Sequence, residues 1–185
     1  MYPKNTWYVA CTPDEIASKP LGRQICGEKI VFYCGKEGRV AAVENFCPHR
    51  GAPLSLGYVE NGNLVCGYHG LVMGCDGKTV EMPGQRVRGF PCNKTYAVEE
   101  RYGFIWVWPG EQDKADPALI HHLEWAVSDE WAYGGGLFHI DTGPKRSKAG
   151  GYGYGKCVAI RKPTMNCGPG RLASVRIDAS VSRSQ

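Results

Sequence analysis

Two short loops, each offering one cysteine and one histidine, constrain this chain more than any other feature. The first ligand loop is Cys47-Pro48-His49-Arg50-Gly51, and the second ligand loop is Cys66-Gly67-Tyr68-His69-Gly70. The pattern is Cys-x-His, a spacer of 16 residues, and Cys-x-x-His. Each pair follows a predicted strand, and the glycine behind it lets backbone amides approach a bound group. Thiolates and imidazoles are metal donors. The four predicted ligands are Cys47, His49, Cys66 and His69.

Two kinds of centre use two cysteines and two histidines. In a mixed-ligand [2Fe–2S] cluster, thiolates suit the iron that stays ferric and neutral imidazoles suit the iron that is reduced, which raises the potential. A structural zinc ion also accepts these donors. Zinc fingers usually pair Cys with Cys and His with His, at other spacings, so the pattern favours the iron–sulfur cluster. A zinc-binding interaction module remains the alternative.

These loops resemble the N-terminal domain of Rieske non-haem iron oxygenases. The likeness begins in the stretch from Cys47 to Ser55 and continues through the second ligand loop. Other stretches are similar to the oxygenase components of vanillate-type aromatic O-demethylases. Those stretches are 1–14, 20–23, 84–88 and 102–110. The resemblance covers roughly residues 1–139 and implies a Rieske-type [2Fe–2S] cluster on the four predicted ligands.

The resemblance also implies a function. Members of this family are oxidoreductases, here monooxygenases of aromatic catabolism, in which a NADH-linked flavin or ferredoxin-type reductase supplies single electrons. The cluster passes them to a mononuclear Fe(II) in a second domain, which activates oxygen so that a methoxy methyl group is lost. Full-length members are usually homotrimers. A stand-alone Rieske ferredoxin, which only carries electrons, is the alternative.

Respiratory Rieske proteins resemble the same motif but differ in two respects. They add a disulfide between the loops, at positions matching Ala52 and Tyr68, and hydroxyl donors at positions matching Leu71 and Met73. Neither Ala52 nor Tyr68 is a cysteine, and both Leu71 and Met73 are apolar. With fewer donors to stabilise its reduced state, the cluster is expected toward the low end of the roughly −150 to +300 mV Rieske range.

The mononuclear iron site of the family is not recognisable in this chain. Its ligands would include a His-x4-His pair, whereas the histidines outside the ligand loops are His121, His122 and His139. The adjacent pair is interpreted as surface residues of a short helix, and His139 as a strand residue. We therefore assign no mononuclear iron ligand and no catalytic residue, and expect the chain alone not to demethylate.

The predicted fold class is mainly β, a small antiparallel sandwich or barrel with a cluster-binding subdomain and short helices. Strands are predicted at 6–10, 30–34, 39–44, 64–66, 71–73, 79–82, 96–99 and 104–108. Thr12-Pro13 and Asp116-Pro117 are predicted helix starts. The predicted domains are a Rieske domain at 1–115, the start of a truncated catalytic domain at 116–139, and an irregular tail at 140–185.

The tail differs in composition from the rest of the chain. Residues 1–139 contain 13 Lys and Arg against 16 Asp and Glu, whereas residues 140–185 contain 9 against 2. The pattern of strands fails near Gly134, and we expect the tail to be poorly ordered. One hypothesis is a frameshifted or truncated oxygenase subunit. The alternative is a genuine basic tail that binds an acidic partner or nucleic acid.

Bulk properties set the remaining expectations. The net charge of +4 does not by itself indicate nucleic acid or a membrane surface. No apolar run approaches the roughly 20 residues of a spanning helix, and no secretory signal is recognised at the N-terminus. Nine cysteines, an odd number, then suggest reduced thiols and a cytoplasmic location.

Overall fold

The computed structural model describes residues 2–17, 19–128, 131–136 and 156–161. The chain divides into two compact units, Met1–His122 and Leu123–Gln185. The first unit contains ten strands and is the part that carries both ligand loops. Its strands are β1 (Tyr8–Cys11), β2 (Leu21–Ile25), β3 (Glu28–Cys34), β4 (Val40–Glu44), β5 (Tyr58–Glu60), β6 (Asn63–Val65), β7 (Val72–Met73), β8 (Thr79–Glu81), β9 (Ala97–Arg101) and β10 (Phe104–Trp108).

These strands form three antiparallel sheets. The orders are β1-β10-β9, β2-β3-β4 and β5-β6-β7-β8. An isolated bridge between Val43 and Thr95 adds the segment before β9 to the edge of β4. Short hairpins connect most neighbours, as expected for an antiparallel fold. The prediction of a mainly β, antiparallel domain is confirmed.

Strand β3 divides the interior of the first unit into two cores. Its residues from Ile30 to Tyr33 are fully buried, and successive side chains point to opposite faces. Val31 and Tyr33 pack into the core that contains both ligand-loop cysteines. Ile30 and Phe32 pack into the other core, beneath β1 and β10. The apolar run of β3 therefore anchors the ligand loops to the rest of the fold.

The two predicted helix starts are confirmed, although each opens only one turn of 3₁₀ helix. The first turn is Pro13–Ile16, where the backbone N–H of Thr12 donates to the Glu15 carboxylate at 3.0 Å. The second is Pro117–Leu119, where the Asp116 carboxylate accepts from the Ala118 N–H at 2.9 Å. Further 3₁₀ turns span Lys36–Gly38, Leu54–Leu56 and Gln112–Lys114.

Two strands of the first unit were not predicted. The run Leu21–Ile25 pairs with β3, but its side chains do not alternate between apolar and polar. The run Tyr58–Glu60 is a largely exposed edge strand of three residues. Both are strands because a neighbour supplies backbone hydrogen bonds, which no local pattern reveals.

The predicted helix around His121 and His122 is wrong. Both residues are exposed, but they lie in an irregular segment after the last 3₁₀ turn. The α-helix α1 (Glu124–Val127) begins only afterwards. His139 lies outside the described residues.

The second unit retains regular structure past the predicted limit. Strand β11 (Trp131–Gly136) includes the three glycines and pairs with β12 (Lys156–Arg161). The prediction that strands end near Gly134 is therefore wrong for β11. The prediction that residues 140–185 are wholly irregular is wrong for β12. Antiparallel backbone pairing does not need side chains, which explains how a glycine run can join a ladder. The expected disorder of the other tail residues lies outside the described residues.

In the part of the chain that the structure describes, no helix is long and apolar enough to cross a membrane.

Candidate metal centre

Both ligand loops begin where a strand leaves its sheet. Cys47 follows the end of β4 at Glu44, and Cys66 follows directly after β6. The two cysteine side chains are buried, each only 2% exposed. His49 is half-buried, and His69 is exposed at the surface. The predicted donors therefore form a buried sulfur pair and a more peripheral imidazole pair.

The two loops share one backbone frame. In the first, the Cys47 N–H donates to the Ala52 carbonyl and the Gly51 N–H donates back to the Cys47 carbonyl, both at 2.8 Å. In the second, the Cys66 N–H donates to the Leu71 carbonyl at 2.8 Å and the Gly70 N–H to the Cys66 carbonyl at 3.0 Å.

The final glycine of each loop makes this frame possible. Gly51 has φ +73° and Gly70 has φ +72°, the left-handed conformation that side chains disfavour. Each loop is thus a closed turn that presents its cysteine from the same backbone position.

The frame brings the two histidines together. The ring centroids of His49 and His69 are 4.8 Å apart, with an angle of 69° between the planes. The Tyr68 ring centroid lies 3.7 Å from that of His69, and the Phe90 ring centroid lies 6.2 Å from that of His49. The sequence prediction that these distant histidines form one site is consistent with this geometry.

The protonation states also suit metal binding. Desolvation, together with the charges of His69 and Arg50, lowers the pKa of His49, which favours the neutral imidazole that binds metals. Burial raises the pKa of the Cys47 thiol, and the neighbouring Cys66 adds to this. A buried thiol of this kind becomes a thiolate when a metal replaces its proton.

One polar atom of the site has no hydrogen-bond partner in the protein. The Nδ1 atom of His49 is buried and unpaired. Buried polar atoms are nearly always satisfied, so an unpaired one needs an explanation. A metal ion bound to this nitrogen supplies one, and the site therefore fits a bound metal group.

The donors are arranged in pairs rather than around one point. Within residues 2–17, 19–128, 131–136 and 156–161, no three His, Cys, Asp or Glu side chains converge so as to hold a single ion. A structural zinc ion takes four protein ligands in a tetrahedron. Each iron of a mixed-ligand [2Fe–2S] cluster takes two, because sulfides fill the other positions. The imidazole pair and the buried sulfur pair match the two-by-two donor set of such a cluster.

An open cleft of about 590 Å³ lies over the histidines. Beside His49 and His69, it is lined by Arg50, Tyr68, Met82, Pro83 and Gln85. The histidine edge of the site thus faces this cleft, whereas the cysteines lie behind it in the core. Leu71 and Met73, which match hydroxyl positions in respiratory proteins by resemblance, are fully buried and apolar.

Sequence reasoning missed the side chains that support the first ligand loop. Asn45 accepts from the Ser55 N–H at 2.8 Å and donates to the Ser55 hydroxyl at 2.9 Å, which closes the base of the loop. Asn93 donates to backbone carbonyls just before Cys47. Asn93 is 47 residues from its nearer partner Phe46, so no local signal identifies it.

His122 lies apart from this arrangement, whereas Arg50 lies at its edge and lines the cleft. The Nδ1 atom of His122 is 2.9 Å from the Tyr102 hydroxyl, at the β9–β10 turn. Arg50, Arg86 and Arg88 are exposed.

Comparison with known proteins identifies the class of this domain. Residues 6–96 match the family model of the Rieske [2Fe–2S] domain. Over 140 residues the chain is 81% identical to the vanillate O-demethylase oxygenase subunit of Pseudomonas sp. (strain HR199 / DSM 7063), covering 76% of this chain and 40% of that protein. Over 144 residues it is 41% identical to the dicamba O-demethylase oxygenase component of Stenotrophomonas maltophilia, covering 77% and 42%.

A solved structure shows the same fold. The crystal structure of dicamba monooxygenase bound to 3,6-dichlorosalicylic acid matches with a TM-score of 0.69 and 39% identity. The match covers 75% of this chain and 41% of that one. The chain therefore carries a Rieske [2Fe–2S] domain and is similar, over about three quarters of its length, to Rieske oxygenase components. It spans about 40% of the length of the relatives it matches.

Proposed function

We propose that Cys47 and Cys66 bind one iron of a Rieske [2Fe–2S] cluster and that His49 and His69 bind the other. The observation that carries this proposal is the pairing of two equivalent loops. Their histidine rings lie 4.8 Å apart over a buried cysteine pair. The unpaired Nδ1 atom of His49 and the neutral form of its ring support the same ligand set.

We further propose that the chain is the electron-transfer part of an aromatic O-demethylase oxygenase component. The substrate of the whole enzyme is then vanillate or another methoxy-aromatic compound, by analogy with the relative that is 81% identical. Its partners are a flavin or ferredoxin-type reductase and, in the full-length subunit, two further copies in a homotrimer. We assign neither a nucleic acid nor a membrane as a partner. A cytoplasmic location fits the free cysteines of the first unit.

When bound, the cluster supplies a one-electron carrier. The residues of the chain determine where that carrier is accessible. The cysteines keep the sulfur side in the core, and the half-buried His49 and exposed His69 bring the imidazole side to the cleft. Electron exchange with a partner is therefore expected at the histidine edge. The mononuclear iron would belong to the remainder of a full-length subunit, and the described residues supply only the relay.

The test is spectroscopy of the chain purified without oxygen. A mixed-ligand [2Fe–2S] cluster gives visible absorption bands and a rhombic EPR signal after reduction. We expect two irons and two sulfides per chain and both spectra. A colourless protein with one zinc per chain would contradict the proposal and support the zinc alternative.

A second measurement separates the enzyme component from a free electron carrier. Oxygen uptake and formaldehyde release are followed with vanillate, NADH and a reductase from a related system. We expect reduction of the cluster but no demethylation by this chain alone. Restoration of demethylation by a separately produced catalytic domain would support the assignment to an oxygenase. Failure of such a domain to bind or accept electrons would favour the Rieske ferredoxin.

A further inference from the structure

The Asn93 side chain is buried although it is polar, with only 6% of its surface exposed. Its amide nitrogen Nδ2 donates to the Glu44 carbonyl at 3.2 Å and to the Phe46 carbonyl at 2.5 Å. These carbonyls lie on either side of Asn45, in the short stretch between β4 and Cys47. A single side chain thus fixes the backbone that leads into the first ligand loop.

The backbone at this point makes a sharp turn. The Phe46 N–H donates to the Glu44 carbonyl at 2.8 Å, so the chain reverses around Asn45 as it leaves the sheet. The Glu44 carbonyl therefore accepts from both Phe46 and Asn93. Without the Asn93 amide, the Phe46 carbonyl would lose its donor at a partly buried position, which costs free energy. The direction in which Cys47 enters the site depends on this turn.

Asn93 is itself held rigidly. Its N–H donates to the Gly77 carbonyl at 2.9 Å. The segment that follows pairs with β4, because the Glu44 N–H donates to the Lys94 carbonyl at 2.8 Å and the Tyr96 N–H to the Ala42 carbonyl at 3.0 Å. The backbone of Asn93 is thus held in place by its neighbours, and its side chain holds the turn at Asn45.

We infer that Asn93 is a positioning residue for the iron–sulfur centre, whose carboxamide sets the placement of Cys47 relative to Cys66. The inference rests on the proposed cluster ligation. Asn93 is expected to affect the position of the Cys47 ligand as well as the stability of the fold. Residues that do not bind the metal but orient its ligands influence metal affinity and the properties of the bound metal. The side-chain hydrogen bonds of Asn93 go to backbone carbonyls before Cys47, so Asn93 acts on the ligand through the backbone.

The test compares Asn93→Asp with a matched control, Asn5→Asp. The first substitution keeps the shape but replaces the donor with an acceptor facing two carbonyl oxygens. Asn5 also donates a side-chain bond, to Glu111 at 3.2 Å, but it lies in the exposed N-terminal segment. For the reconstituted chain we expect Asn93→Asp to lose its cluster to an iron chelator about tenfold faster than the wild type. Its EPR g values and reduction potential should shift, and those of Asn5→Asp should not.

The spectroscopic readouts distinguish positioning from a merely structural role. A purely structural residue would lower the unfolding midpoint but leave the spectrum of the folded fraction unchanged, and that result would overturn the inference. If Asn93→Asp does not fold, Asn93→Ser decides, because its hydroxyl can still donate to one carbonyl. A shifted spectrum in this variant supports the inference, and a wild-type spectrum with wild-type cluster retention overturns it. Failure of the wild type to bind a cluster would instead reject the proposed function.

Discussion

The two ligand loops share a backbone frame, but different parts of the chain support them. The first ligand loop is fixed by side-chain amides, Asn45 at its base and Asn93 from a distant segment. The second ligand loop is fixed by close backbone packing, because it continues β6 and lies against the chain at Leu56 and Gly57. The same ligand geometry therefore depends on hydrogen bonds in one loop and on the absence of side chains next to the other.

The largest effect is expected from the ligands themselves, where the two loops should be equivalent. In the proposed ligation, Cys47→Ser and Cys66→Ser would each remove one of two thiolates from the same iron, so both should abolish the cluster. The measurement is iron and sulfide content together with the visible spectrum. Cys92→Ser is the matched control, because Cys92 is exposed and lies outside the site. Retention of a normal cluster by either ligand variant would contradict the proposed ligation.

The next effect tests the packing of the second ligand loop. In Gly57→Ala the added Cβ would overlap the Val65 carbonyl, one residue before Cys66. Relieving such an overlap typically costs about 1–3 kcal/mol or more. We expect at least this loss in the free energy of unfolding, measured with urea, and a weakened cluster.

Gly27→Ala is the control for this substitution. An added Cβ there meets no atom within 4 Å, so only backbone strain of about 1 kcal/mol is expected. Equal losses of stability and cluster in the two variants would mean that close packing does not support the second ligand loop.

The reduction potential of the cluster should depend on Leu71. Its carbonyl accepts the hydrogen bond from the Cys66 N–H in the second ligand loop. The wild-type potential should lie toward the low end of the roughly −150 to +300 mV Rieske range. Leu71→Ser introduces a hydroxyl at a position that matches a donor in respiratory Rieske proteins. One hydrogen bond to a charged acceptor contributes about 1.5 kcal/mol, which corresponds to a rise on the order of 60 mV for one electron.

The control is Leu54→Ser, in the same core but behind the first ligand loop. Both leucines are fully buried, so both variants create a similar cavity. Redox titration should show the rise only for Leu71→Ser. An equal rise in the control would mean that loosened packing, rather than a new hydrogen bond, changed the potential.

The smallest expected effect on stability comes from Glu28, which binds Lys94 and Tyr96 in the segment that follows Asn93. Its carboxylate accepts from Lys4 Nζ at 2.7 Å, Lys94 Nζ at 2.6 Å and Tyr96 OH at 2.6 Å. Burial alone would raise the pKa of Glu28, but these hydrogen bonds outweigh it and lower the pKa from 4.5 to about 2. Because the folded state binds the proton less readily than the unfolded chain, Glu28 stabilises the fold above pH 4.5. That stabilisation is lost as the pH falls from there through about 2.

We expect this contribution to be about 1–2 kcal/mol after allowance for solvent screening. The measurement is the free energy of unfolding against pH for the wild type and Glu28→Gln. The two curves should differ above pH 4.5 and converge toward pH 2. Glu37→Gln serves as control, since Glu37 and its partner Arg39 are both highly exposed and 3.6 Å apart. A constant difference at all pH values would show that the carboxylate charge is not responsible.

Much of the fold could be predicted where the signal lies in neighbouring residues. The strand at Phe104–Trp108 was predicted to the residue, and the strands predicted at 71–73 and 79–82 correspond to β7 and β8. The two proline-initiated turns were also correct. Turn residues and caps act within a few positions of themselves, so the sequence shows them directly.

The failures share a different cause. Strand β2 exists because β3 lies beside it, and β11 includes three glycines because β12 pairs with them. A helix was predicted at His121 and His122 because Asp116-Pro117 is a helix start just before them. The 3₁₀ turn that begins there ends at Leu119. In each case the outcome depends on a pairing partner or on packing rather than on local propensity.

The sequence by itself determined the donor set of the proposed centre. Two cysteines and two histidines in glycine-closed loops predict a mixed-ligand cluster, because donor type and spacing are local properties. Only the tertiary structure decided how those donors meet and what holds them. The 4.8 Å between the imidazole rings and the support of Cys47 by Asn93 arise from segments far apart in the chain. Such contacts form only when burial and backbone pairing bring the segments together, and no local pattern encodes them.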